Sequence, residues 1–145
     1  MILGIGVDTV DIERFGRHLG RTPSLRDRLF TEAERGLPLH SLAARFAAKE
    51  ALVKALGGSG GLGWHDMEIV KDEDRAPSFA ATPGLLREFA LREPAPQQSA
   101  PRAGSPGDAD AGAGAAVRAH LSMTHDGGFA TAFVILERST DGAGL

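Results

Sequence analysis

The chain contains no cysteine among its 145 residues. That excludes a disulfide scaffold, a thiolate metal site and a thiol nucleophile, and it accords with a reducing, cytoplasmic setting. A basic leader is missing too: MILGIGVDTVD starts apolar, and Asp8 interrupts the run before a signal-peptide core can form. No apolar stretch approaches the length of a bilayer span, so no membrane contact is expected. Positive charge is not in excess either. The net charge of −3 offers no global attraction to nucleic acid. No internal repeat is present. GGSGGLG (57–63) follows its helix and lacks the Gly-Lys-Ser/Thr ending, so it is not a phosphate-binding P-loop.

What is present is the make-up of a globular domain, 42% hydrophobic and 24% charged, long enough for one domain with a real core. Two regions depart from it. Arg14, Arg17, Arg21, Arg26 and Arg28 crowd into residues 14–28, where Asp27 is the only acid. Such a patch suits phosphates or an acidic partner. Residues 93–116 contain 18 Ala, Pro, Gly or Ser in 24 positions and no large apolar residue. That segment cannot bury enough surface to offset the entropy of ordering, so a disordered insertion is expected there.

Periodicity predicts a strand over 2–10, with Leu3, Ile5 and Val7 on one face and Gly4, Gly6 and Asp8 on the other. The two glycines leave room for something to approach the backbone closely. A helix follows on Ile12, Phe15 and Leu19, with Arg14, Arg17 and Arg21 as a separate stripe. Thr31 and Glu34 read as the capping box of a short helix to Arg35. A longer helix spans 41–56 and stops at Gly57 and Gly58. Strands are expected at Trp64–Lys71 and Ser78–Ala81, with a helix at Pro83–Leu91 between them and the insertion. AHLSMTH (119–125), DGG (126–128) and FATAFVILE (129–137) form a β-hairpin pattern. The class is α+β.

The long helix poses a problem. On a wheel of about 100° per residue, Leu42, Phe46, Val53 and Leu56 form one apolar arc. Lys49 points into its middle and Glu50 lies at its edge. A helix that only fills a core places its charges opposite. Unpaired burial of either charge is costly, so both are expected to face a cavity.

Three polar features could carry chemistry: Asp8 on the first strand, Glu50 with Lys49 and Lys54 on the helix, and the hairpin group His120, Ser122, Thr124, His125 and Asp126. Two carboxylates from separate elements suit a hard cation such as Mg²⁺, which completes its octahedron with water and substrate phosphate. Lysines beside them can neutralise phosphate oxygens. Singly, each feature has a plainer reading. Asp8 is then a turn former, Glu50–Lys54 a surface ion pair, the histidines structural, and the arginine stripe a solvated face.

Together the segments are specific. IGVDTVDIERF, RFAAKEALVKALG and HLSMTHDGGFATAFVILE resemble, in order and position, three signature segments of the holo-acyl-carrier-protein synthase family, the small bacterial 4′-phosphopantetheinyl transferases. WHDMEIV resembles the intervening strand. The stretch between Arg35 and Ser41 is shorter than is common in the family, Val53 replaces a small polar residue, and Arg75-Ala76-Pro77 stands where Gly-Lys-Pro is common.

The resemblance implies a compact antiparallel sheet packed with a long central helix, assembled as a homotrimer with active sites at subunit boundaries. It implies transfer of phosphopantetheine from coenzyme A to a serine of apo-acyl carrier protein, with release of 3′,5′-ADP. Asp8 and Glu50 match the Mg²⁺ ligands. Lys54 matches the lysine by the CoA phosphates, and Arg45 and Lys49 match nucleotide contacts of the same helix. His125 matches a residue of the CoA site, and Gly57 and Thr124 are placed with it. Glu50, directly or through water, is then the base for the serine, with Asp126 as rival. The stripe Arg14, Arg17 and Arg21 matches the carrier-docking helix. Two other classes use the same residues: a metal-dependent phosphohydrolase, and a non-catalytic module that binds CoA or an acidic helix.

Overall fold

The computed structural model describes residues 1–92 and 116–139. Apart from Ala116, the expected insertion at 93–116 lies outside the described residues.

The chain opens with β1 (Ile2–Asp11) and turns directly into α1 (Ile12–Arg21). Asp11 makes that junction: its side chain accepts the Arg14 N–H at 2.9 Å, which caps the helix and lets Phe15 and Leu19 turn inward. Next comes α2 (Pro23–Leu29), whose proline occupies the first turn, where no amide partner is lost. No apolar period announces this short helix. Then α3 (Glu32–Arg35) follows at the predicted place. Its capping box is half made: the Thr31 N–H donates to Glu34 Oε2 at 3.1 Å, while Thr31 Oγ1 has no partner among the described residues.

Helix α4 (Leu39–Leu56) ends at Gly57, which takes the left-handed conformation at φ 77°. It starts two residues earlier than predicted, directly after Pro38. Six of its alanines are buried, at 43, 44, 47, 48, 51 and 55, so it is enclosed on most sides.

Residues 64–71 were expected to form one strand. Instead Trp64–Met67 coil into a 3₁₀ turn, closed by Asp66 Oδ2 accepting the Gly63 N–H at 2.8 Å, and only β2 (Ile69–Lys71) is extended. A side chain that bonds its own turn competes with a strand ladder. β3 (Pro77–Phe79) and α5 (Pro83–Ala90) follow.

The hairpin comprises β4 (Val117–Asp126) and β5 (Phe129–Arg138), joined by Gly127 and Gly128 at φ 54° and 84°. Positive φ at both central positions matches the right-handed strand twist. The main sheet runs β1-β5-β4, all antiparallel, and β2-β3 form a separate ribbon.

One sheet face packs on α4 through Val10, Ala130, Ala132, Val134 and Leu136. The glycines of β1 explain how closely. A Cβ on Gly4 would overlap the Ala55 carbonyl oxygen, and one on Gly6 the Ala51 carbonyl oxygen. The close approach expected at these glycines is that of the α4 backbone. The opposite face carries Ile5, Val7 and Phe133, which are 55%, 51% and 42% exposed. Leu3 does not join them: a register irregularity between Ile2 and Gly4 turns it to the core side.

Candidate active site

Because Gly4 and Gly6 let α4 lie flush on β1, the next residue on that face, Asp8, comes within reach of Lys54 in the last turn of the helix. Lys54 Nζ donates to Asp8 Oδ1 at 2.7 Å and to the Val7 carbonyl at 2.9 Å. The local Glu50–Lys54 pair does not form among the described residues. Asp8 and Glu50 both line a cavity of about 620 Å³, walled by Phe46 and Trp64 and facing Arg14 and Arg28 of α1 and α2. Burial first, and then the charge of Asp8, raise the Glu50 carboxyl above its ordinary value, with Lys54 pulling the other way.

This donor set fits Mg²⁺. Two carboxylates close enough to repel hold excess negative charge, which a divalent cation would relieve. Among the described residues no third acid, histidine or cysteine joins them as a cluster, so the rest of a coordination sphere falls to water and phosphate.

A second cavity, about 320 Å³, lies at the other end of α4 and is lined by His40, Arg45, Lys71, Arg75, Thr124 and His125, together with Ser41, Ala44 and Met123. No acid lines it. The His40 and His125 rings sit 4.7 Å apart. Arg45 is 7% exposed, and burial lowers its guanidinium below its usual value, opposed by Glu34 at 3.8 Å. Its hydrogen bond among the described residues is a long one, Nη1 to the Ser41 carbonyl at 3.5 Å.

Several expected site residues stand elsewhere. Lys49, expected as a nucleotide contact, lines neither cavity. It is fully buried, and its ammonium donates to Glu34 Oε2 at 2.8 Å, the Leu29 carbonyl at 2.7 Å and the Trp64 carbonyl at 3.1 Å. All three ammonium protons are satisfied. Glu34 also accepts the Ile69 N–H at 3.0 Å, so this pair ties α2, α3, α4 and β2 together. Only Glu50, one residue along and about 100° around the helix, faces the cavity. Gly57 ends α4 and lines neither cavity. Asp126 is adjacent to His125 on a strand, hence on the opposite face, and lines neither cavity. His120 is on that outer face as well, with Nε2 at 2.8 Å from Glu137 Oε2. Of the arginine stripe, Arg14 faces the first cavity and Arg17 pairs with Glu13.

Sequence reasoning missed Glu34, His40, Lys71 and Arg75. Glu34 had a signal: a lysine aimed into an apolar arc needs a buried anion.

The fold and the paired carboxylates define a class. The model of the 4′-phosphopantetheinyl transferase superfamily matches residues 4–102, and the chain belongs to that family. It is 57% identical over 140 residues to the holo-[acyl-carrier-protein] synthase of Leifsonia xyli subsp. xyli, covering 97% of this chain and all of that one. Its fold matches the crystal structure of the Neisseria meningitidis holo-[acyl-carrier-protein] synthase with a TM-score of 0.72, at 28% identity over 94% of this chain and 99% of that one. The Helicobacter pylori synthase, solved in complex with coenzyme A, matches at a TM-score of 0.67 and 26% identity, over 92% and 99% of the chains.

Proposed function

We propose that this protein transfers the 4′-phosphopantetheine group of coenzyme A to a serine of apo-acyl carrier protein and releases 3′,5′-ADP. The observation that carries this reading is that Asp8, held by Lys54, and Glu50 line one cavity from two distant elements, within a chain of this family. The whole chain, residues 1–145, is read as one such domain, acting in the cytoplasm.

Asp8 and Glu50 would hold Mg²⁺, which when bound supplies positive charge to the CoA diphosphate and lowers the cost of charge on the leaving group. Lys54 orients Asp8 and offers its ammonium to the same phosphates. Glu50 takes the serine proton as the serine oxygen bonds to the β-phosphorus. The bond from that phosphorus to the bridging oxygen of 3′,5′-ADP breaks, and the electron pair leaves with the nucleotide. Arg45, Thr124 and His125 receive the nucleotide end in the second, cation-lined cavity. Arg14, Arg17 and Arg21 bind the acidic carrier.

The carboxylate cavity and the cationic cavity are separate on one chain, and the outer sheet face bears exposed Ile5, Val7, Phe129 and Phe133. A homotrimer that covers this apolar face and places one chain's cationic cavity by its neighbour's carboxylates accounts for both features.

Incubation with apo-acyl carrier protein, CoA and Mg²⁺ tests the reading. The phosphopantetheine mass should appear on the carrier and vanish with EDTA. Phosphate release without a carrier would point to a phosphohydrolase, and affinity without a mass change to a binding module.

A further inference from the structure

Glu34 has a local use and a distant one. In sequence it closes the capping box of α3, but that helix is four residues long and its box is only half made. The side chain is buried, at 1% exposure, among elements far along the chain. Oε2 accepts the Lys49 ammonium at 2.8 Å and the Thr31 N–H at 3.1 Å, and Oε1 accepts the Ile69 N–H at 3.0 Å. Three donors on two oxygens fix the carboxylate in place, and the Lys49 charge already balances it.

Glu34 therefore does not need Arg45, whereas Arg45 needs Glu34. Arg45 Nε stands 3.8 Å from Glu34 Oε1, the one ion pair of this guanidinium among the described residues. Nε is buried without a hydrogen-bond partner among them, and Nη1 makes only the long bond to the Ser41 carbonyl. Lys71 and Arg75 line the same cavity and repel a third cation, while burial opposes its charge and Glu34 supports it. Glu34 attracts the guanidinium without sharing a hydrogen bond with it, so the contact orders the side chain and leaves its remaining N–H groups uncommitted. Stability alone gives no reason for this cluster, because apolar side chains of the same volume often match a buried ion pair.

We infer that Glu34 is a positioning residue for the transfer reaction: its fixed carboxylate holds the Arg45 guanidinium in place at the second cavity, and so sets the affinity for coenzyme A and not for the carrier. The inference rests on the reading of that cavity as the place that receives the nucleotide end of the substrate. Lys49 balances the carboxylate and has no part in the contact, since its three protons go to Glu34 and to the Leu29 and Trp64 carbonyls.

The test uses the full chain carrying Glu34→Gln/Lys49→Met. The double exchange removes one charge of each sign, so the net charge beside the cavity is unchanged and neither half of the pair is left enclosed alone. KM is the readout, because it does not depend on the fraction of enzyme that is folded. The KM for CoA should rise at least about threefold, within the coupling expected of charged groups in contact, while the KM for carrier protein stays within about twofold. Lys49→Met alone keeps Glu34 beside Arg45. It should melt lower than the double variant and yet show an unaltered KM for CoA. Stability and CoA affinity are then lost in different variants, which a structural role cannot produce. In an Arg45→Gln background the double exchange should change the KM for CoA less than about twofold, because no guanidinium is left to position. If Arg45→Gln raises the KM for CoA and Glu34→Gln/Lys49→Met does not, the role of Glu34 is overturned and the cavity reading stands. Equal rises in Lys49→Met and the double variant would make the cluster structural and overturn the role likewise. If Arg45→Gln leaves the KM for CoA unchanged, the assignment of the cavity to the nucleotide fails, and the inference with it.

Discussion

Lys54 Nζ lies 2.7 Å from Asp8 Oδ1 although 46 residues separate them in the chain. The contact exists because two glycines let a helix lie directly on a strand, and it places Glu50 of the preceding turn at the same carboxylate.

The charge of Glu50 should be a burden to the metal-free protein. Its folded pKa is raised, by burial first and by Asp8 second. The stability contributed by its protonated form is complete below the unfolded carboxylate pKa and lost as pH rises through the raised folded value. Glu50→Gln should therefore melt higher than wild type at neutral pH without metal, and the difference should close in acid. The same variant should lose nearly all turnover. Calorimetry across pH with and without Mg²⁺ checks this: the cation should raise the wild-type melting temperature and not the variant's. Most activity retained at saturating Mg²⁺ would reject Glu50 as base.

Lys49→Met tests the buried pair. Removing the ammonium leaves Glu34 charged and enclosed, a loss of about 3–5 kcal/mol for a broken buried pair. Chemical denaturation should report that loss, while the KM for CoA of the remaining folded enzyme stays unchanged. A raised KM with intact stability would return Lys49 to the nucleotide site.

Gly6→Ala should separate β1 from α4, because the added methyl meets the Ala51 backbone and no rotamer can relieve it. The expected destabilisation exceeds about 3 kcal/mol, beyond ordinary overpacking. Gly20→Ala is the control: nothing lies within 4 Å of its Cβ position, and in a helix it should gain about 0.5–1 kcal/mol. Similar unfolding midpoints for both variants would contradict the packing described.

Reversing Arg14, Arg17 and Arg21 to glutamate should raise the KM for carrier protein at least about tenfold and leave that for CoA unaltered, with a strong dependence on salt. An equal effect on both substrates would argue against docking at α1.

Phe133→Glu places a charge on the apolar outer face of the sheet. Light scattering should show a trimer in the wild type and monomer in the variant, with turnover lost because the two cavities no longer meet. A fully active monomer would remove the case for a shared site.

Much of this architecture is legible in the chain. The alternation of β1, the hairpin with its paired glycines and the start of α1 at Asp11 each follow from patterns spanning a few residues. Helix α2 escaped notice because seven residues carry too little apolar period, and the turn at Trp64–Met67 because Asp66 bonds its own loop. In the site, Asp8, Glu50 and Lys54 were identifiable as chemistry, whereas the cations on β2 and its turn carried no motif.

The sequence by itself determined which residues carry charge, where most segments extend or coil, and that two carboxylates and a lysine fall in segments resembling those of one family. Only the tertiary structure decided what each charge faces. Lys49 and Glu50 are neighbours in the chain, yet one meets Glu34 in the interior and the other opens on a cavity. Helical periodicity gives the direction of a side chain; what stands opposite comes from strands and turns brought there by packing, and that is not a local property.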